Sequence, residues 1–123
     1  MMPRSWMRRA LELAQEAAGE EEVPVGAVVV LGDQSIAEGR NEVEKRGDPT
    51  AHAELLAIQR AVKKRGYSRL VGATLYTTLE PCAMCAGAIL LARAQRVVYG
   101  ARGAKGGFCG SLHDVRADRR RSR

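Results

Sequence analysis

The stretch Val23–Leu31 constrains the fold of this chain more than any other part of its sequence. Its residues, VPVGAVVVL, are apolar at almost every position and mostly β-branched, as is typical of a strand. A strand that is apolar on both faces must be covered on both faces. We therefore expect this strand to lie inside a sheet that has helices on each side.

Patterns elsewhere in the chain predict the remaining elements. Apolar residues at three- and four-residue steps predict helices over residues 5–18, 51–65 and 82–93. Alternating or β-branched stretches predict further strands over residues 35–42, 73–79 and 96–101, and the polar stretch 43–50 is predicted to be a loop. Gly32-Asp33 predicts a tight turn, so the first two strands should be antiparallel. Gly19 and Gly66 are expected to follow helix ends.

This order of elements indicates the fold class. A hairpin followed by strand–helix–strand alternation predicts a mixed sheet with helices on its faces. We expect an α/β fold, a three-layer α/β/α sandwich, or two layers if few of the helices form. The length of 123 residues allows one domain, which we assign to residues 1–115.

Residues 116–123 form a basic tail. Their sequence, RADRRRSR, holds five arginines and one aspartate, so it supplies +4 of the net charge of +6. Such a tail can hold phosphates by Coulomb attraction. A solvated chain end with no ligand explains it equally well.

The sequence also indicates the cellular location of the protein. Its longest apolar run, Ala83–Ala92, is ten residues, far short of a membrane span. The N-terminus carries acidic residues and does not resemble a signal peptide. Three cysteines are too few for a disulfide scaffold. We therefore expect a cytoplasmic location and no membrane partner.

Four residues carry the chemistry: His52, Glu54, Cys82 and Cys85. The two cysteines are three residues apart at a predicted helix start, so both sulfurs can reach one point, and the helix dipole favours thiolate there. Two thiolates and an imidazole suit zinc, and three protein ligands leave a position for water. The sequence shows no evident fourth ligand, although a further cysteine and histidine follow later in the chain, at Cys109 and His113.

Glu54 is predicted to act on protons rather than to bind the metal. It follows His52 by two residues, and such residues in a regular helix point about 200° apart. Bound zinc lowers the pKa of water to about 7, and a nearby carboxylate can then move the proton.

Each of these features has an ordinary explanation when taken alone. His52 could be a structural histidine, Glu54 an acid that stabilises a helix start, and Cys82-x-x-Cys85 a redox dithiol or half of a zinc site. Their combination, H-x-E followed by P-C-x-x-C, is the known signature of zinc-dependent nucleobase deaminases.

The chain resembles the tRNA-specific adenosine deaminases of the cytidine deaminase-like superfamily over about residues 5–115. The strings that carry this resemblance are VPVGA (23–27), GRN (39–41), DPTAHAE (48–54), LEPCAMCAGA (79–88), VYGAR (98–102) and GSL (110–112). The zinc strings occur throughout the superfamily, whereas VPVGA, DPTAHAE and CAMCAGA are more specific to the adenosine branch.

The resemblance implies hydrolytic deamination of adenosine to inosine at the wobble position of a tRNA anticodon. It implies zinc held by His52, Cys82 and Cys85, and Glu54 as the catalytic acid and base. It also implies a homodimer. The substrate-binding residues that it implies are Asn41, which hydrogen-bonds the base, Val23 and Pro24, which form an apolar wall, and Ala53, whose backbone lies near the base edge.

Two departures from the family pattern leave other functions open. Gly103 stands where many bacterial relatives have aspartate, and RADRRRSR follows the GSL string where the family continues into a further strand and helix. The alternatives are a deaminase of a free nucleobase or nucleoside of guanine or cytosine type, a dithiol oxidoreductase that uses Cys82 and Cys85, and a non-catalytic zinc module.

Overall fold

The computed structural model of the chain describes residues 3–101 and residue 107. The predicted strands and long helices all form, and one short helix adds to them. The elements are α1 (Pro3–Gly19), β1 (Gly26–Leu31), β2 (Gln34–Arg40), α2 (Val43–Arg46), α3 (Ala53–Arg65), β3 (Ala73–Leu79), α4 (Ala83–Leu91) and β4 (Arg96–Ala101).

The strands form one mixed sheet in the order β2-β1-β3-β4. β1 pairs antiparallel with β2 and with β3, and β3 pairs parallel with β4. The predicted hairpin is therefore confirmed, and the strand that is apolar on both faces lies inside the sheet. The parallel pair requires a crossover, which α4 provides.

Helices cover both faces of the sheet, which confirms the three-layer α/β/α sandwich. One face packs against α1 through the residues Trp6, Ala10, Leu13, Val28, Val30 and Tyr76. The opposite face packs against α3 and α4 through a larger cluster that includes Val29, Ala57, Ile58, Leu75 and Ile89. Successive valines of β1 thus pack into different cores, because side chains along a strand point to alternate faces of the sheet.

Two glycines allow helices to approach the sheet closely. A Cβ atom on Gly26 would lie 2.8 Å from the backbone nitrogen of Ala14 in α1, and one on Gly39 would lie 2.8 Å from that of Ala57 in α3. Both distances are shorter than van der Waals contact. Because Gly39 has no side chain, the start of α3 can lie close to β2.

Most predicted element bounds agree with the structure to within two residues, and three differences have a clear local cause. α1 continues through Gly19, and Glu21 instead takes the positive φ of 62°. The first strand begins at Gly26 because Val25 donates its N–H to the Val23 carbonyl (2.8 Å) in a tight turn. The predicted loop 43–50 contains α2, a single turn that ends at Gly47. The prediction for Gly66 is confirmed, since its φ is 69° after α3.

Some of the sequence-based predictions fall outside the described residues. These are the basic tail at 116–123, the departure at Gly103, and the later cysteine and histidine at Cys109 and His113. Within residues 3–101, no helix is both long enough and apolar enough to cross a bilayer.

We predict that Gly39→Ala destabilises the protein by about 2–3 kcal/mol, because the added methyl group meets backbone atoms that cannot move aside. Urea denaturation measures the free energy of unfolding. Gly19→Ala is the matched control, since a Cβ atom there meets nothing within 4 Å, and we expect it to be neutral or slightly stabilising. Equal stability of the two variants would contradict the close approach of α3.

Candidate metal centre and pocket

Two helix starts present the predicted metal ligands. His52 lies immediately before α3 and Cys82 immediately before α4, and both have extended backbone conformations, with φ and ψ of −76° and 149° for His52 and −74° and 178° for Cys82. Cys85 follows in the first turn of α4 and is buried. The three side chains come together although 30 residues separate His52 from Cys82.

The distances between these side chains fit a tetrahedral zinc ion. His52 Nδ1 lies 3.6 Å from the Cys82 sulfur and 3.7 Å from the Cys85 sulfur. Zinc bonds of about 2.05 Å to nitrogen and 2.3 Å to sulfur, at a tetrahedral angle, place those atoms about 3.6 Å apart. All three ligand atoms lie within 4.8 Å of one another. The arrangement therefore fits zinc without rearrangement.

The identity and the number of the ligand atoms also agree with a zinc site that can bind water. Within residues 3–101 and 107, the group of ligand atoms that could share an ion contains His52, Cys82 and Cys85. Two sulfurs and one imidazole nitrogen suit zinc. A site with three protein ligands keeps one coordination position for water or substrate.

The protein without metal holds the two thiols in unequal states. A hydrogen bond from Cys85, together with His52 nearby, lowers the pKa of Cys82 to about 5 despite partial burial. The same hydrogen bond and burial raise the pKa of Cys85 well above its usual range. One thiolate thus forms readily, and a bound cation would favour the second.

Glu54 lies beside this group but is not part of it. It occupies the first turn of α3 and is 4% exposed. Burial raises its pKa to about 7. A carboxyl group in that range can both take and give a proton at neutral pH.

The predicted angle of about 200° between the side chains of His52 and Glu54 does not apply, because the two residues do not lie in the same helix. The value for residues two apart applies when both lie in a helix, whereas His52 precedes α3 with an extended backbone. The two side chains can therefore lie near the same pocket while only the imidazole joins the sulfurs.

A pocket of about 530 Å³ opens beside the ligand group. Among the residues that line it are the candidate metal ligands His52 and Cys82, the carboxylate Glu54, and Asn41 at the end of β2. Asn41 is 6% exposed, and its amide oxygen has no hydrogen-bond partner among the described residues. A buried acceptor without a partner destabilises the protein by about 1–3 kcal/mol, which indicates a place for a ligand donor.

The other predicted substrate residues are distributed unevenly around this pocket. Val23 and Ala53 line it, whereas Pro24 is exposed and is absent from the lining. Val25, the next residue, contributes to the apolar wall instead.

Sequence reasoning gave no role to several lining residues. Leu79 and Glu80 lie in the LEPCAMCAGA string, whereas no quoted string contains the others, which are Glu21, Glu22, Val43, Glu44 and Gly107. Some come from α2, which was predicted to be a loop, and Gly107 reaches the site through an isolated bridge to Cys82.

Comparison with known proteins identifies the family. Residues 2–101 match the family described as the cytidine and deoxycytidylate deaminase zinc-binding region. This chain belongs to that family. Because the family region binds zinc and the ligand group fits it, zinc is the cofactor.

Relatives within the deaminase family carry more specific names. The tRNA-specific adenosine deaminase of Bacillus subtilis is 46% identical over 115 residues, which cover 94% of this chain and 71% of that protein. The tRNA-specific adenosine deaminase 2 of Xenopus laevis is 41% identical over 120 residues, which cover 93% of this chain and 69% of that protein.

Two solved structures resemble this member of the deaminase family closely. One comes from a study of A-to-I editing by tRNA:A34 deaminases, with a TM-score of 0.86, 47% identity, and coverage of 88% of this chain and 78% of that one. The other is a guanine deaminase from Bacillus subtilis, with a TM-score of 0.80, 45% identity, and coverage of 83% and 66%.

We predict that Cys82→Ser loses bound zinc and lowers the melting temperature together, since metal binding and folding are coupled. Elemental analysis of the purified protein and a thermal melt measure the two effects. Cys109→Ser is the matched control and should keep about one zinc per chain, as a three-ligand site requires. Full zinc occupancy in Cys82→Ser, or loss of zinc in Cys109→Ser, would contradict the proposed ligand set.

Proposed function

We propose that this chain catalyses the zinc-dependent hydrolytic deamination of adenosine to inosine in tRNA, at the wobble position of the anticodon. The observation that carries the proposal is the buried carboxylate of Glu54 beside the histidine–cysteine group, at a pocket that is also lined by Asn41, whose amide oxygen has no partner among the described residues. Relatives and a solved structure named for this activity, at 41–47% identity over most of the chain, support the choice of substrate.

In this proposal His52, Cys82 and Cys85 hold the metal. The 3.6 and 3.7 Å separations of nitrogen and sulfur support that assignment. Zinc, when bound, supplies a Lewis acid that makes water a nucleophile at neutral pH. The net reaction forms a carbon–oxygen bond at C6 of adenine, breaks the bond from C6 to the exocyclic nitrogen, and releases ammonia.

Glu54 carries the protons of this reaction. Its pKa of about 7 in the metal-free protein means that the carboxylate can accept a proton from water and pass it to N1 of the base. The same group then protonates the departing amine. Glu54 would begin as a base, because positive charge held by His52, Cys82 and Cys85 would favour its ionised form.

Asn41 and Val23 position the base. The amide oxygen of Asn41, buried and without a partner among the described residues, is available to a hydrogen-bond donor of the substrate. Val23 lines the same pocket although most of its side chain is exposed, so it can cover one face of a base that has left its stack. The backbone of Ala53 lies in the pocket lining beside them.

A deaminase of free nucleobases is the second candidate. The observation that favours it is the resemblance to a guanine deaminase at 45% identity, almost equal to the resemblance to the tRNA deaminase structure. The same histidine, cysteines and carboxylate would serve that reaction.

The remaining parts of the proposal concern the whole molecule. We infer that residues 1–115 form the zinc deaminase domain, that two copies form a homodimer, and that the protein works in the cytoplasm. Two thiols that must stay reduced to bind zinc favour a reducing compartment. Sedimentation of the purified protein measures the number of copies directly.

We predict that the protein converts the wobble adenosine of an anticodon stem-loop RNA to inosine, as measured by mass spectrometry of nucleosides from the digested RNA. Ammonia release from free guanine, cytosine and adenosine, measured in parallel, should be much slower. A stem-loop with guanosine at the wobble position is the control. Rapid turnover of a free base with no change in the RNA would contradict the tRNA proposal and support a deaminase of free nucleobases.

We also predict that Glu54→Gln keeps zinc and lowers kcat by about 10²–10⁴-fold, because the amide cannot carry a proton. Glu12→Gln, on the exposed side of α1, is the matched control and should leave both quantities unchanged. Undiminished turnover in Glu54→Gln would remove the proposed role of Glu54 and require a different acid and base.

A further inference from the structure

Glu22 is a buried carboxylate that the proposed chemistry does not use. It lies in the connection between α1 and β1 and is 6% exposed. Its two carboxylate oxygens accept hydrogen bonds from the backbone N–H groups of Glu44 (3.0 Å) and Lys45 (2.7 Å). Each oxygen thus has its own donor, from a segment more than 20 residues further along the chain.

These contacts provide hydrogen-bond acceptors for the first N–H groups of α2, which the residue just before the helix does not provide. The first N–H groups of any helix have no partner within the helix, and a side chain just before the helix commonly accepts from them. Glu42 occupies that position but makes no such bond. Its carboxylate instead binds Arg46 at 2.7 Å and Arg60 at 3.5 Å. Glu22 therefore takes the place of the usual capping residue.

The two segments joined by Glu22 both line the pocket. Val23, next to Glu22, comes from the connection between α1 and β1, and Val43 and Glu44 come from α2. The bonds of Glu22 connect the segment that carries Val23 directly to the backbone of α2. An exposed ion pair between Glu20 and Lys45 (3.8 Å) is the longer, side-chain contact between the same two segments.

The groups that would perform the chemistry are held by other contacts. Asn41 donates its N–H to the Val25 carbonyl (3.2 Å), and Glu42 donates to the Ala51 carbonyl (3.0 Å). The candidate zinc ligands lie at the starts of α3 and α4. Loss of the Glu22 bonds would thus loosen α2 while the metal centre stays assembled.

We propose that Glu22 is a positioning residue for substrate recognition, a clamp that fixes α2 against Val23 and so sets the width of the pocket. This inference rests on the proposed function, because it assigns the clamp to the pocket that takes the base. It predicts an effect on KM rather than on kcat.

The test compares Glu22→Gln with wild-type protein. A glutamine amide offers one acceptor oxygen, so its NH₂ group must face a backbone N–H, and one of the two bonds is lost. We expect hydrogen exchange at the amides of Glu44 and Lys45 to accelerate by about tenfold, equivalent to about 1.4 kcal/mol. KM for the anticodon stem-loop RNA should rise by about tenfold, with kcat and zinc content close to wild type.

The sign of the KM change separates the clamp from simple charge removal. Removing a negative charge near the pocket would by itself favour a polyanionic RNA and lower KM. Glu12→Gln is the control: it removes the same charge, but its carboxylate binds the side chain of Arg9 within α1 and does not line the pocket, so it should leave KM and the two amides unchanged. Glu22→Asp keeps both acceptor oxygens on a shorter side chain and should give an intermediate KM.

The possible results distinguish this inference from the proposed function. Wild-type protein that does not deaminate the RNA overturns the proposed function, and amide exchange then still decides whether the clamp exists. Active wild-type protein with unchanged KM in Glu22→Gln overturns the positioning role. Equal losses of kcat, zinc and melting temperature would likewise overturn it in favour of a general structural role. If Glu22→Gln does not fold, Glu22→Asp provides the same measurements.

Discussion

Two helices begin at the carboxyl end of β3, and the site depends on this meeting point. α4 follows β3 there. α3 follows β2, whose carboxyl end lies at the same edge because β1 is antiparallel to both β2 and β3, so the first turns of the two helices meet on one face of the sheet. Each helix brings free N–H groups and the positive end of its dipole. Both features favour negative charge, and the residues placed there are two cysteines and a glutamate.

These acidic groups lie close together, and this proximity explains why a cation binds between them. The hydrogen bond between the two thiols lowers the pKa of Cys82 to about 5 and raises that of Cys85, and burial raises the pKa of Glu54 to about 7. Each group resists ionisation of its neighbours. A divalent cation relieves this competition, because it lets both sulfurs be thiolates and favours the carboxylate at the same time.

The sequence predicts well those features that depend on residues close together in the chain. The run of valines in β1 predicts a covered sheet, and P-C-x-x-C and H-x-E predict ligands at two helix starts. The position of His52 just outside α3 was not predicted, because periodicity alone does not locate the last extended residue. The wall formed by α2 was also missed: its stabilising partner, Glu22, is 22 residues from Glu44, and nothing in a polar stretch of eight residues indicates such a contact.

The pocket therefore has two walls that are fixed by different interactions. One carries the histidine, the cysteines and Glu54 on the starts of α3 and α4, and the other is the α2 segment bound through Glu22. If Glu22 positions α2 as we propose, a change in that segment would alter which base fits without moving the groups that carry out the hydrolysis. The two structural resemblances agree with such a separation, since structures titled for tRNA:A34 deaminases and for a guanine deaminase, at 47% and 45% identity, share this fold while their titles state different substrates. Under this proposal the choice of substrate depends on contacts between segments distant in sequence, and the chemistry on short local motifs.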